Sequence, residues 1–132
     1  MTQEFVAYEQ ALKLKQLGFD EPCLDQYNNN AELWGLKAGF IVKNQNLIEG
    51  SCSSPLYQQA FRFFREKKLS DSCICRYQSI DDGGVYYYYV INHDFGIEET
   101  KHLKEGFYSY EEAELACLDK LIEIVESNNK QK

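Results

Sequence analysis

The chain has 132 residues, a formal net charge of −7, and an aromatic content dominated by 10 tyrosines and 8 phenylalanines. That length and apolar share suffice to bury one core without staples, which excludes a disordered tail. The negative balance works against non-specific binding to nucleic acid or acidic membranes, because phosphates are repelled on average.

The first helix is expected to begin after Thr2 and run to Leu17, with Phe5, Tyr8, Ala11 and Leu12 sharing a face and Leu14 and Leu17 on its edge. Gly18 falls where a residue with positive φ ends a helix, and Phe19 is placed to fold back onto the last turn. Asp20-Glu21-Pro22 stops any continuation. Cys23 to Tyr27 reads as a short strand, Asn28-Asn29-Asn30 as a turn, and Glu32 to Leu36 as the returning strand. Residues 37–53 read as an irregular connection with room for one more short strand.

The second helix is the most aromatic stretch of the chain. Ser54 is expected as its N-cap and Pro55 as its first residue. Tyr57, Ala60, Phe61 and Phe64 recur at helical spacing, with Leu56 and Phe63 widening the stripe, so a sheet or other helices must cover it. Cys73 to Ile80 then alternates, Asp81-Asp82-Gly83-Gly84 forms a hairpin turn, and Val85 to Ile91 returns with four consecutive tyrosines. Ile97 to Leu103 reads as a polar edge strand. Ser109 with Glu112 makes a capping box for the last helix, and Glu111 places charge near its N-terminus. Ala113, Cys117, Leu118, Leu121, Ile122 and Val125 form its apolar stripe, and 127–132 reads as a frayed tail.

The expected fold is therefore a single α+β domain over 1–132: two layers, about three helices on an antiparallel sheet of about four to six strands. A faint repeat links Tyr8-Glu9-Gln10-Ala11 to Tyr57-Gln58-Gln59-Ala60. Each leads to a cysteine (Cys23, Cys73) and then a tyrosine four residues on (Tyr27, Tyr77), as two αββ units closed by a C-terminal helix would.

Few constellations point to chemistry. Cys73 and Cys75 face the same way from a strand, but no second Cys or His pair completes a structural zinc site with His93 or His102. Both thiols are expected to lie buried as small apolar residues. No nucleophile motif accompanies either histidine, and Asp82-Gly83-Gly84 is too short and acidic for a phosphate loop, so no catalytic residue, metal or cofactor is assigned. The candidate contact surface is instead Tyr86 and Tyr88, expected on an open sheet face beside Arg76 and Ile74, together with Glu111, Glu112 and Asp119 of the acidic last helix. Such a tyrosine face serves a protein partner or a second copy of the chain. With Arg76 it would also stack the bases of single-stranded nucleic acid, and the acidic helix would suit a mimic of nucleic acid.

The order helix, three strands, helix from Leu56 to Val125 is similar to that of double-stranded-RNA-binding domains. Those domains carry a basic cluster at the start of the last helix, whereas this chain reads Ser109-Tyr110-Glu111-Glu112, so duplex binding is disfavoured.

The start, Met1-Thr2-Gln3-Glu4-Phe5, lacks the pattern of a secretory signal, and the apolar run Val85 to Ile91 is too short for a bilayer. An odd count of five cysteines fits reduced thiols, so a cytoplasmic protein without membrane contact is expected.

Three segments taken together, Leu17-Gly18-Phe19-Asp20-Glu21-Pro22-Cys23, Pro55 to Lys67, and Tyr110-Glu111-Glu112-Ala113-Glu114 running into Leu121 to Val125, resemble a group of small phage and prophage proteins of Bacteroides-type bacteria. The resemblance implies a mobile-element setting and life inside a bacterial host cell. It carries over no activity, cofactor or site residue. The reading is a non-enzymatic protein-interaction module.

Overall fold

The computed structural model describes residues 5–33, 43–44, 50–68, 70–93, 96–99 and 106–130, without the side chains of 96–99 and 130. These residues form an α+β fold. In chain order the elements are α1 (Tyr8–Gln16), β1 (Asp25–Tyr27), β2 (Cys52–Ser54), α2 (Tyr57–Lys67), β3 (Asp71–Gln78), β4 (Val85–His93), β5 (Gly96–Glu99) and α3 (Tyr110–Lys130). The chain divides into two compact units, Met1–Ala60 with Val125–Lys132, and Phe61–Ile124.

In the first unit, β1 and β2 pair antiparallel with Tyr27 opposite Cys52, and α1 packs on β2. The helix starts at Tyr8, later than the sequence suggests, because the residues before it are held as extended chain. Phe5 bridges Leu56, and the Val6 amide donates to the Pro55 carbonyl at 2.9 Å. Long-range pairing here outcompetes helix propensity. The same pairing overturns the expected start of α2. Ser54 lies in β2, and the residue before the helix is Leu56, whose amide donates to Gln59 Oε1 at 3.1 Å. Gln59 thus supplies half of a capping box from the third helical position.

The end of α1 forms as the residues require. Gly18 has φ +98°, the Phe19 amide donates to the Leu14 carbonyl at 2.9 Å, and the Gly18 amide to that of Lys15 at 3.1 Å. This is a Schellman closure, and Phe19 and Leu14 are both buried. The face of α1 turned inward is Gln10, Ala11 and Leu14, while Leu12 is half-buried. Asn28 closes the predicted turn, its Oδ1 accepting from the amides of Asn30 and Glu32. Leu33 bridges Tyr27 from the returning chain. The rest of that expected strand, 34–36, and most of the connection at 37–53 lie outside the described residues; β2 falls at its end.

The second unit is organised on the sheet β3-β4-β5, antiparallel throughout. The order helix, three strands, helix is as expected, with β5 at Gly96–Glu99 and residues 100–103 of the expected strand outside the described set. Between β3 and β4, Ser79 and Gly84 close a four-residue turn, Ile80 to Gly83. The Ser79 amide donates to the Gly84 carbonyl at 2.8 Å, and Gly83 adopts φ +72°.

Ser109 Oγ accepts from the Glu112 amide at 3.2 Å, the N-cap half of the expected capping box, while Glu112 Oε2 accepts from the Tyr108 amide at 3.3 Å, one residue before the cap. All six predicted apolar positions of α3 are buried. At roughly 1.5–3 kcal/mol for each large apolar side chain removed from water, this stripe is a principal source of cohesion. The helix continues to Lys130, through 127–130 that the sequence suggests would fray, since Ser127-Asn128-Asn129 contains no breaker.

Candidate functional site

The register of β3 and β4 decides which side chains share a face. Tyr77 lies opposite Tyr86, Cys75 opposite Tyr88 and Cys73 opposite Val90. Arg76 lies opposite Tyr87 and Ile74 opposite Tyr89. Directly paired residues project to the same side of an antiparallel sheet. Tyr86 and Tyr88 therefore share their face with Tyr77 and the two cysteines. The expectation that Arg76 and Ile74 stand beside them is corrected, because both project from the opposite face.

That opposite face is the covered one. Tyr89 and Ile91 are buried. Phe107, bridged to Tyr87 through a reciprocal pair of backbone hydrogen bonds, stacks on Tyr89 with ring centres 6.1 Å apart. Tyr110 meets Tyr87 edge-on at 6.2 Å. Cys117 is buried there beside the Ser72 hydroxyl, and burial pushes its thiol up to about 12.

On the other face the tyrosines form a connected aromatic surface. Tyr77 packs against Tyr86 at 5.7 Å and Tyr88 at 5.6 Å, and Tyr86 against Tyr108 at 5.8 Å. Tyr77, Tyr86 and Tyr88 are half-buried, and Tyr108 is 69% exposed. The Tyr86 hydroxyl donates to Asp82 Oδ2, and Asp82 Oδ1 accepts from the Gly84 amide at 2.8 Å. The Tyr86 bond, followed by the Gly84 amide, holds the Asp82 carboxyl below its usual range; the neighbouring carboxylate pushes the Tyr86 phenol up to about 12. Gly106 lies against this ladder so closely that a Cβ there would stand 2.9 Å from Tyr77 Oη and 3.0 Å from Tyr86 Cβ.

The sequence reading missed Tyr77, Tyr108 and Asp82 as members of this surface. Tyr77 was accessible from the alternation of β3 once paired across the turn. Tyr108 was not, because its place depends on the bridge at Phe107.

The acidic candidates divide. Glu112 is engaged in the cap of α3, while Glu111 and Asp119 are exposed. Glu112, Leu115, Asp119 and Glu123 recur at helical spacing along the exposed side of α3, with Leu115 43% exposed. Lys120 pairs with Glu123 at 3.4 Å. Glu114 is held above the usual carboxylate range by partial burial and then by Glu111.

The thiols require a further correction. Cys73 is exposed and Cys75 half-buried, on the face of β3 that also carries Tyr77. Burial, and then Cys75 beside it, raises the Cys73 thiol. Cys23 and Cys52 are buried, and burial lifts each thiol to about 11. Among the described residues no three His, Cys, Asp or Glu side chains gather as a metal-binding set, and no helix is long and apolar enough to cross a membrane. Comparison with protein-family models, curated proteins and solved structures gave no match.

Proposed function

We propose that this chain is a non-enzymatic protein-interaction module whose contact surface is the tyrosine face of the three-stranded sheet. The observation that carries the reading is the connected set Tyr77, Tyr86, Tyr88 and Tyr108 on one side of β3 and β4. Tyrosine presents large apolar area with a polar tip at low entropic cost, which suits an interface centre. The partner is a protein with a basic surface. Asp82 lies against Tyr86, and the whole chain carries −7, so Lys and Arg on the partner meet carboxylate and ring faces. The register weakens the single-stranded nucleic-acid reading, since the Arg76 guanidinium it required projects from the other face. The implied mobile-element setting inside a bacterial cell accommodates such a module.

The test is tagged capture from bacterial lysate, with and without nuclease, using the wild-type chain and a Tyr86→Ala/Tyr88→Ala variant of unchanged far-UV circular dichroism. The expected result is a specific protein that survives nuclease and is lost with the variant. Capture indifferent to the variant overturns the reading, and capture abolished by nuclease replaces it with nucleic-acid binding.

A further inference from the structure

Cys73 and Cys75 are the two accessible thiols among five cysteines, the other three being buried. Their Sγ atoms lie 3.7 Å apart on one face of β3, with Val90 and Tyr88 as cross-strand neighbours. Two chemistries join a pair of thiols, a disulfide and a shared metal ion, and the strand distinguishes them.

A disulfide draws its two Cβ atoms to about 3.5–4.5 Å and its Cα atoms to at most about 6.8 Å. Residues two apart on a strand sit about 6.6–6.8 Å apart at Cα, with parallel Cα–Cβ bonds that keep the Cβ atoms similarly distant. Closing the disulfide would pull β3 out of a ladder that pairs Asp71 through Gln78 with Asn92 through Val85. A bridging ion asks for no such movement. Two thiolates each about 2.3 Å from a tetrahedral zinc ion stand about 3.8 Å apart. The Sγ atoms already have this spacing.

We propose that Cys73 and Cys75 form an exposed two-thiolate chelate for a soft d¹⁰ metal ion of the zinc class. Binding releases both thiol protons to solvent and forms two S–metal bonds, with no change of oxidation state. Among the described residues no third protein ligand gathers with them. Water or a ligand from another molecule completes the coordination, unlike the closed set of a structural site. Thiolate softness selects this class of ion over magnesium or calcium.

The reduced full-length chain is titrated anaerobically with Zn(II) against a chromophoric indicator, and with Co(II) as a spectroscopic probe. One ion per chain and a thiolate-to-cobalt charge-transfer band are expected. Cys73→Ser and Cys75→Ser should each weaken Zn(II) binding by about tenfold or more, since even losing a partner behind a ligand costs that much. Cys73 is exposed and Cys75 half-buried, so far-UV circular dichroism should be unchanged, and Cys117→Ala should retain the ion. Wild-type affinity in the double serine variant overturns the proposal. So does absence of the cobalt band in the reduced wild type. Ready closure of a Cys73–Cys75 disulfide under mild oxidation, with the sheet intact, overturns the geometric argument beneath it.

Discussion

Ala31 stands in the left-handed region at φ 64°, the one described non-glycine residue with positive φ. The Asn28 turn holds it there, through the Ala31 amide to the Asn28 carbonyl at 3.0 Å. A Cβ in this conformation costs roughly 1–2 kcal/mol, part of which glycine recovers against its greater freedom when unfolded. Ala31→Gly should therefore raise the urea midpoint, by an amount equivalent to about 0.5–1 kcal/mol. The buried thiols predict a dependence on pH. Cys117 moves from 9.0 to about 12 on folding. Between those values the unfolded chain has released the proton and the folded chain has kept it. Its stabilising contribution is complete below pH 9 and lost as pH rises toward 12. Cys23 and Cys52, raised to about 11, act in the same direction. Urea midpoints measured across the alkaline range should fall, and Cys117→Ala should fall less steeply while starting lower.

Local chemistry explains the elements it terminates and fails where distant chain intervenes. Leu17-Gly18-Phe19 and Ser109 to Glu112 were legible because every partner of those caps lies within a few residues. Ser54-Pro55 was not, since β1 claims Ser54 for a strand and Phe5 holds Leu56 as extended chain. Ser109→Ala should cost about 1 kcal/mol through the lost cap of α3, measured by chemical denaturation. Gly106→Ala acts differently. Its Cβ would press on Tyr77 and Tyr86 and on the Tyr87 carbonyl. The tyrosine ladder must shift, which near-UV circular dichroism should report, and the variant should be less stable than wild type. The face of Arg76 was also legible. A four-residue turn pairs even-numbered residues of β3 with odd-numbered residues of β4, which sets Arg76 beside Tyr87 and not Tyr86.

At the scale of the molecule, the helices and their buried stripes were readable because apolar periodicity reports burial directly. The candidate surface was readable only as a run of tyrosines. Its real membership depends on register, on the bridge from Phe107 and on a carboxylate in the hairpin loop, none of which has a periodic signature. The Asp82–Tyr86 bond gives this surface a spectroscopic handle: Tyr86→Phe should move the Asp82 carboxyl titration upward toward its ordinary value, as followed by carbon NMR. The distribution of the cysteines has another use. Cys23 and Cys52 are sealed in one compact unit, Cys117 in the other, and Cys73 and Cys75 face outward. Pulsed maleimide labelling of the metal-free chain should mark two thiols at once and the remaining three only through opening events, whose free energies follow from the labelling rates. The natural sequence thus carries a separate stability gauge in each unit, readable by mass without introducing a probe.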